Sequence, residues 1–211
     1  MSSTNQSFKP NNTGTKKLFD NPILEKLTHT HISVPIALLL AYAAGLIIWS
    51  TSRTSISSSL ITSIYFIGLL FFTFAEYTLH RYVYHMKPSS DTKKKIQYTF
   101  HGVHHEYPKD KSRLAMPPIL SLTISTVLLG FFHLIMGEYS FSFLAGFLTG
   151  YALYLFMHYI LHAYPPPKNF FKKLWIYHSI HHYKDETIYY GVSSPLWDFV
   201  FGTIEKRKKE A

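Results

Sequence analysis

Four long apolar runs, separated by polar and basic segments, dominate the chain. They cover residues 33–50, 60–79, 118–136 and 141–160, and Glu76, near the end of the second run, is their single Asp, Glu, Lys or Arg. Each run is close to the length at which an α-helix crosses roughly 30 Å of hydrocarbon. A soluble helical bundle is the alternative, but four runs of this length favour membrane-spanning helices. The pattern predicts an all-α integral membrane protein with four transmembrane helices in two hairpins.

The segments outside these runs predict the remaining organisation. Residues 1–20 are rich in Ser, Thr, Asn and Lys and lack apolar periodicity, which is typical of a disordered tail. Residues 21–32 fit a short interfacial segment whose aliphatic side chains face lipid. We expect one membrane domain over residues 33–205, followed by a basic tail over residues 206–211.

Basic residues are concentrated on one side of the predicted membrane. The chain has 21 Lys and Arg against 12 Asp and Glu, which gives a formal net charge of +9. Nucleic-acid binding is one source of such a charge, but the apolar runs favour a membrane protein whose loops carry the charges that set topology. Every Lys and Arg except Arg53 falls on the side that holds both termini. This side is therefore predicted to be cytosolic.

Ten of the thirteen histidines fall into four short motifs on this same side. Two copies of His-x-x-His-His, at residues 101–105 and 178–182, each follow a histidine pair at the end of an apolar run. Residues three or four positions apart share one face of a helix, so these spacings bring imidazoles together. The predicted metal ligands are His80, His85, His101, His104, His105, His158, His162, His178, His181 and His182.

The two sets of histidines form an internal repeat. His101 and His178 are 77 residues apart, and the same shift relates every other pair of equivalent histidines except the leading pair. His80 and His158, which lead the two sets, are 78 residues apart. Each half can supply five imidazoles, and the repeat is explained either by duplication or by two metal ions that need similar shells.

The donor set limits the chemistry of the predicted centre. The chain has no cysteine, which excludes thiolate zinc sites, iron–sulfur clusters and a cysteine nucleophile. Imidazole binds iron, zinc, copper and nickel. A hydrolytic zinc site needs an open position and a general base, for which ten imidazoles leave little room. Two divalent ions in a shell of neutral nitrogen keep a high positive charge, which predicts oxygen activation.

Other polar residues are assigned supporting roles. His29, His31 and His133 lie outside the four motifs and are predicted to be interfacial or packed polar residues rather than ligands. Carboxylates near the motifs are candidates for orienting imidazole N–H groups, with solvated surface charge as the alternative. These candidate carboxylates are Glu76, Glu106, Asp185, Glu186 and Asp198.

The chain resembles the membrane fatty acid hydroxylase superfamily, which includes the sterol desaturases, and within it the fatty acid 2-hydroxylase family. The resemblance covers roughly residues 60–203, and the histidine boxes are specific for the superfamily. The segment from Ser112 to Leu114, with Pro117 and Pro118 after it, indicates the 2-hydroxylase branch. Further matching segments are Gly150-Tyr151-Ala152-Leu153-Tyr154, His158-Tyr159-Ile160-Leu161-His162 and Leu196-Trp197-Asp198.

The resemblance implies four transmembrane helices under a cytosolic helical cap, with a dimetal centre held by the ten histidines. It implies iron as the active metal, with zinc in its place in some purified proteins, and dioxygen as oxidant. The implied reaction inserts oxygen at C2 of a long acyl chain, either free or amide-linked in a sphingolipid. Tyr154 and Tyr159 are candidate catalytic residues that position the head group or supply a proton, or else belong to an interfacial aromatic belt.

Two features depart from the family pattern. Members of the eukaryotic type often carry an N-terminal haem-binding cytochrome domain, for which residues 1–32 are too short. A separate electron donor is therefore expected, either a b-type cytochrome or a ferredoxin with its reductase. The family also tends to have Asp immediately after the tyrosine that matches Tyr154, where this chain has Leu155.

Two other functions stay open at this point. A sterol or carotenoid hydroxylase or desaturase uses the same boxes. A membrane metal-transport or metal-binding protein is the alternative outside the enzymes, although a transporter is expected to carry polar ligands through mid-bilayer. Lys208 and Lys209 fit an endoplasmic reticulum retrieval signal in a eukaryotic protein, whereas a bacterial source places the protein in the inner membrane.

Overall fold

A computed structural model describes residues 7–205, and every regular element within this range is helical. Two short π-helices, His80–Tyr84 and Tyr98–Gly102, and one 3-10 turn, Lys111–Arg113, supplement the α-helices. The α-helices are α1 (Pro22–Leu27), α2 (Ser33–Arg53), α3 (Ser58–Leu79), α4 (Asp91–Gln97), α5 (Val103–Glu106), α6 (Pro118–Met136), α7 (Tyr139–Ala163), α8 (Lys172–Tyr183) and α9 (Leu196–Phe201).

Helices α2, α3, α6 and α7 are long and apolar enough to cross a membrane. Each contains one of the four apolar runs, which confirms the predicted all-α fold with four spans. Pro118 occupies the first turn of α6, where its missing N–H costs nothing. Gly137 ends α6 with a φ of 57°, a left-handed conformation that glycine adopts without strain. Across this turn His133 Nδ1 lies 3.2 Å from Ser140 Oγ, which fits the prediction of a packed polar histidine.

The chain divides into two compact units. One of them comprises Lys17–Ala75 and Lys111–Tyr159 and is called here the span unit. Within it α3 and α7 approach closely at glycines. A side-chain carbon added at Gly68 would lie 2.0 Å from the Phe143 carbonyl oxygen, and one at Gly146 would lie 1.9 Å from the Tyr65 carbonyl oxygen. Small residues allow membrane helices to bring their backbones together in this way.

Helix α1 is held by a polar cluster within the span unit. The Glu25 carboxylate accepts hydrogen bonds from the Leu18 and Phe19 N–H groups, each at 2.9 Å, and pairs with the guanidinium of Arg113. His29 Nε2 lies 2.7 Å from the same guanidinium, and His29 is not a member of either group of metal donors described below. The apolar side chains of α1 are exposed, and its place at the membrane interface stays a prediction.

The pKa of Glu25 makes this anchor sensitive to acid. Burial raises this pKa, but the Phe19 and Leu18 N–H groups and Arg113 outweigh burial and lower it from 4.5 to about 2. A carboxyl with a lowered folded pKa stabilises the fold above its unfolded value, and this stability is lost as the pH falls from 4.5 towards 2. We expect hydrogen exchange over residues 18–27, corrected for its intrinsic pH dependence, to increase across that window.

In Glu25→Gln the backbone amides of residues 18–27 are expected to exchange rapidly at every pH. The increase in exchange between pH 4.5 and 2 should therefore be absent. Asp20→Asn is the matched control, because Asp20 pairs with Lys17 as a fully exposed side chain. It should retain the wild-type response. An acid-dependent step of wild-type size in Glu25→Gln would contradict the assignment.

The other compact unit, here called the histidine unit, comprises Met1–Lys16, Glu76–Asp110 and Ile160–Ala211. It contains α4, α5, α8, α9 and both π-helices. In the N-terminal segment the Phe8 ring packs on Tyr98 with centroids 5.6 Å apart, and the Asn11 N–H donates to the Glu106 carbonyl. The disordered tail predicted over residues 1–20 stays a prediction, and its first six residues lie outside the described range. The basic tail, with the lysine pair that resembles a retrieval signal, also lies outside it.

Candidate metal centre

A π-helix at the first histidine pair explains the irregular step in the repeat. His80–Tyr84 forms this π-helix directly after α3, and the His85 N–H donates to the His80 carbonyl at 3.1 Å. A π-helical turn holds one residue more than an α-helical turn. His80 and His85, five positions apart, therefore face the same way, as do His158 and His162, four positions apart on α7. The extra residue in the first copy is taken up by the wider turn.

Five imidazoles converge in a first group, with donor atoms that all lie within 4.8 Å of one another. His101 Nε2 lies 3.0 Å from the Nε2 atoms of both His80 and His105. The Nε2 atoms of His85 and His181 are also 3.0 Å apart. Two nitrogens bound to one ion at about 2.1 Å and at a right angle would be about 3 Å apart. The observed separations therefore fit donors that share an ion.

A second group of five imidazoles satisfies the same 4.8 Å criterion. His162 Nε2 lies 2.7 Å from His178 Nε2. The His104 ring centroid is 4.6 Å from that of His162 and 4.7 Å from that of His182. His158 lies one helical turn before His162 on α7 and completes the group.

The two groups are neighbours, and each contains one histidine from the other half of the repeat. The rings of His105, in the first group, and His182, in the second, stack with centroids 4.2 Å apart. Each half of the repeat does supply five imidazoles, but four go to one group and the fifth goes to the other. His104 joins the second group and its equivalent, His181, joins the first. Spacing along the chain did not reveal this exchange.

Burial favours the neutral form of four of these imidazoles. Burial, followed by the proximity of neighbouring imidazoles, holds the pKa values of His101, His181 and His182 well below 6.5. Burial, followed by the proximity of His80, lowers the pKa of His85 to about 2. A neutral imidazole keeps a lone pair on one ring nitrogen, which is the form that binds metal. The residues present therefore fit two metal ions.

Backbone carbonyls orient two imidazoles of the first group. His80 Nδ1–H donates to the Tyr190 carbonyl at 2.6 Å, and His181 Nδ1–H donates to the Ile188 carbonyl at 2.8 Å. A carbonyl only accepts, so the proton lies on Nδ1 and the lone pair on Nε2. Sequence reasoning missed both acceptors, because a backbone carbonyl has no residue type by which to find it.

Two of the candidate carboxylates bind the loop that carries these carbonyls. Glu76 accepts from the Val192 and Ser193 N–H groups at 2.6 and 2.9 Å. Asp198, which is 0% exposed, accepts from the Tyr190 and Gly191 N–H groups at 2.9 and 2.8 Å. Each carboxylate therefore reaches the histidines through the backbone.

The other three candidate carboxylates take part in different contacts. Glu106 accepts from the Tyr98 hydroxyl, and Glu186 accepts from the Ser7 hydroxyl. Asp185 accepts from the Thr187 N–H at 2.9 Å. The orientation of imidazoles by these three residues stays a prediction.

The two candidate tyrosines lie on α7 in the span unit. The Tyr154 ring stacks on His158 with centroids 5.4 Å apart and also lies 6.1 Å from Phe72. Tyr159 packs against the apolar core of this unit. Leu155, where the family tends to have Asp, is 1% exposed within that core. Tyr154 thus contacts a predicted ligand.

The comparison with protein families matches residues 65–203 to a family described as fatty acid hydroxylase. The matched range contains all ten histidines of the two groups. A chain described as full-length scs7p, of which only the hydroxylase domain is visible, has a similar structure. The TM-score is 0.76 at 30% identity, and the match covers 89% of this chain and 72% of that one.

Curated relatives carry related names. The ceramide very long chain fatty acid hydroxylase scs7 of Schizosaccharomyces pombe is 35% identical over 90% of this chain and 55% of its own length. The dihydroceramide fatty acyl 2-hydroxylase FAH2 of Arabidopsis thaliana is 38% identical over 68% of this chain and 61% of its own. The human fatty acid 2-hydroxylase is 32% identical over 91% of this chain and 57% of its own length. This chain therefore spans little more than half the length of these relatives.

Proposed function

Because the chain belongs to the fatty acid hydroxylase family, we propose that it hydroxylates C2 of a long acyl chain, free or amide-linked in a sphingolipid. The observation that carries this proposal is the pair of adjacent five-imidazole groups within a sequence that matches the family. The names of the relatives support C2 as the position and a ceramide or fatty acid as the substrate class.

The ten histidines would hold two metal ions, with iron expected in the active enzyme and zinc an expected substitute in purified protein. When bound, these ions supply the activation of dioxygen. The overall reaction replaces one C–H bond by C–OH, places the second oxygen atom in water, and consumes two electrons and two protons. The chain itself contributes neutral imidazole donors and the backbone acceptors that orient two of them.

The apolar spans suit a substrate that arrives from the bilayer. Tyr154, which stacks on His158, and Tyr159 are proposed to position the head group or to move a proton near it. The alternative metal-transport function is disfavoured, because the ligands are concentrated at the ends of α3 and α7 and in the following segments rather than along the middle of the spans.

The electrons are proposed to come from a separate protein, either a b-type cytochrome or a ferredoxin with its reductase. The excess of Lys and Arg on the side of the histidines supports a cytosolic position for the histidine unit. The membrane is then the endoplasmic reticulum in a eukaryote or the inner membrane in a bacterium.

Mass spectrometry of lipids tests the proposal directly. Cells that express the protein should accumulate acyl chains heavier by one oxygen atom, with fragmentation that locates the hydroxyl at C2. Cells that express His178→Ala at equal membrane abundance provide the control. Hydroxylated or desaturated sterols or carotenoids without 2-hydroxyacyl lipids would identify the alternative enzyme, and an unchanged lipid profile would overturn the enzymatic proposal.

A further inference from the structure

We propose that Glu76 and Asp198 are positioning residues that secure one of the two metal ions, through a loop whose carbonyls orient two ligands of the first histidine group. This inference rests on the dimetal centre of the proposed function. The loop consists of residues 188–193 and is called here the carbonyl loop. Neither carboxylate needs to touch a metal ion or an imidazole to have this effect.

The carbonyl loop links the two carboxylates to the ligands. Its Tyr190 carbonyl accepts from His80 Nδ1–H at 2.6 Å, and its Ile188 carbonyl accepts from His181 Nδ1–H at 2.8 Å. Both histidines belong to the first group. A displacement of the loop would therefore turn two of the five imidazoles of that group and leave the second group with its own donors.

The two carboxylates bind four consecutive N–H groups of this loop. Asp198 accepts from residues 190 and 191, and Glu76 accepts from residues 192 and 193. Side chains complete the arrangement, because the Ser193 hydroxyl donates to Glu76 and the Thr203 hydroxyl donates to Asp198. Glu76 is 7% exposed and Asp198 is 0% exposed, so water does not replace these bonds.

The backbone of the loop needs such external support. Tyr189 has a φ of 58°, in the left-handed region that costs a non-glycine residue energy. Its ring stacks on Tyr177 with centroids 4.3 Å apart. A side-chain carbon at Gly191 would lie 2.1 Å from the Ser194 carbonyl oxygen and 2.8 Å from Asp198 Oδ2. A loop that is both strained and tightly packed keeps this shape because the carboxylates hold its N–H groups.

Asp198→Asn is the most informative single substitution for testing this role of the carboxylates. Asp198 Oδ1 accepts from the Tyr190 N–H and the Thr203 hydroxyl, while Oδ2 accepts from the Gly191 N–H. The asparagine amide is nearly the same size, but whichever way it turns, its NH₂ group faces one of these backbone donors. One buried N–H then loses its acceptor, and the loop must shift.

The test measures metal ions per purified full-length chain, at equilibrium with a competing chelator. Wild type is expected to hold two ions, and Asp198→Asn is expected to bind one of them about tenfold more weakly, as is typical when support for a ligand is lost. Glu205→Gln is the control. It removes a carboxylate that lies close to Asp198 in the sequence but pairs with Lys184. It should hold both ions as wild type does.

Two backgrounds assign the weakened ion to a group. Adding Asp198→Asn to His80→Ala, where the first group is already disrupted, should change the metal content no further. Adding it to His158→Ala, where the second group is disrupted, should weaken the remaining ion about tenfold. Equal losses in both backgrounds would indicate a general structural role and overturn the inference, as would wild-type affinity for both ions in Asp198→Asn.

Ser193→Ala decides the question if Asp198→Asn does not yield folded protein. It removes one hydroxyl bond to Glu76 and leaves the loop N–H groups in place, so the same ion should bind about threefold more weakly. Unchanged affinity in this folded variant would overturn the inference. Failure of wild type to hold two ions would instead refute the dimetal centre itself, which separates the two proposals.

Discussion

Replacing His104 by alanine is expected to lower hydroxylation by at least about 100-fold and to release one metal ion, with membrane insertion retained. His104 is one of five donors in the second group, and its ring lies against those of His162 and His182. Its loss removes a buried donor that no nearby cysteine can replace, since the chain has none. Product analysis and metal content on the same membranes measure both effects.

Double substitutions test the exchange of ligands between the halves. Metal loss in His104→Ala combined with His162→Ala should not exceed that in the single variants, because both residues serve the second group. His104→Ala combined with His85→Ala should lose both ions, although the two residues lie in the same half of the repeat. The opposite pattern would show that each half builds its own site. His31→Ala is the control, because His31 is exposed and bonds Ser33.

Gly146→Ala is expected to destabilise the fold strongly. The added carbon would lie 1.9 Å from the Tyr65 carbonyl oxygen and 3.0 Å from the Leu69 nitrogen, and both are backbone atoms that no side-chain rotation can move aside. Helices α3 and α7 must then separate, which costs about 3 kcal/mol through lost packing. We expect a lower unfolding temperature in detergent and a lower yield of folded protein.

Gly130→Ala is the matched control for this prediction. Gly130 lies in α6, and a side-chain carbon there would meet nothing within 4 Å. Helix propensity alone favours alanine over glycine by up to about 1 kcal/mol, so stability should be unchanged or slightly higher. Equal stability of the two variants would contradict the close approach of α3 and α7.

Much of the candidate centre could be predicted from the spacing of the histidines along the chain. The i, i+4 histidines were predicted to share a helix face, and each such pair does fall into one group: His101 with His105, His158 with His162, and His178 with His182. The i, i+3 partners, also predicted to share a face, fall into different groups. The five-residue step from His80 to His85 indicated a departure from regular helix, which is the π-helix. These features depend on residues within one or two turns, where the helix itself determines geometry.

The sequence was less informative about which groups accept hydrogen bonds around the histidines. Glu76 and Asp198 were expected to orient imidazole N–H groups, but their oxygens accept from the N–H groups of residues 190–193. Proximity along the chain suggested that each carboxylate lies near a ligand. It contained no information on which donor, imidazole or amide, would meet each oxygen.

The sequence by itself determined the helical class, the four spans, the charge asymmetry and the ten candidate donors, because apolar length, charge and histidine spacing are properties of the chain. The tertiary structure alone decided how the donors divide into two groups, with His104 and His181 exchanged, and which carbonyls orient them. Those features join residues as far as 110 positions apart. Contacts of that kind depend on how helices and loops pack in space, and periodicity along the chain does not record that packing.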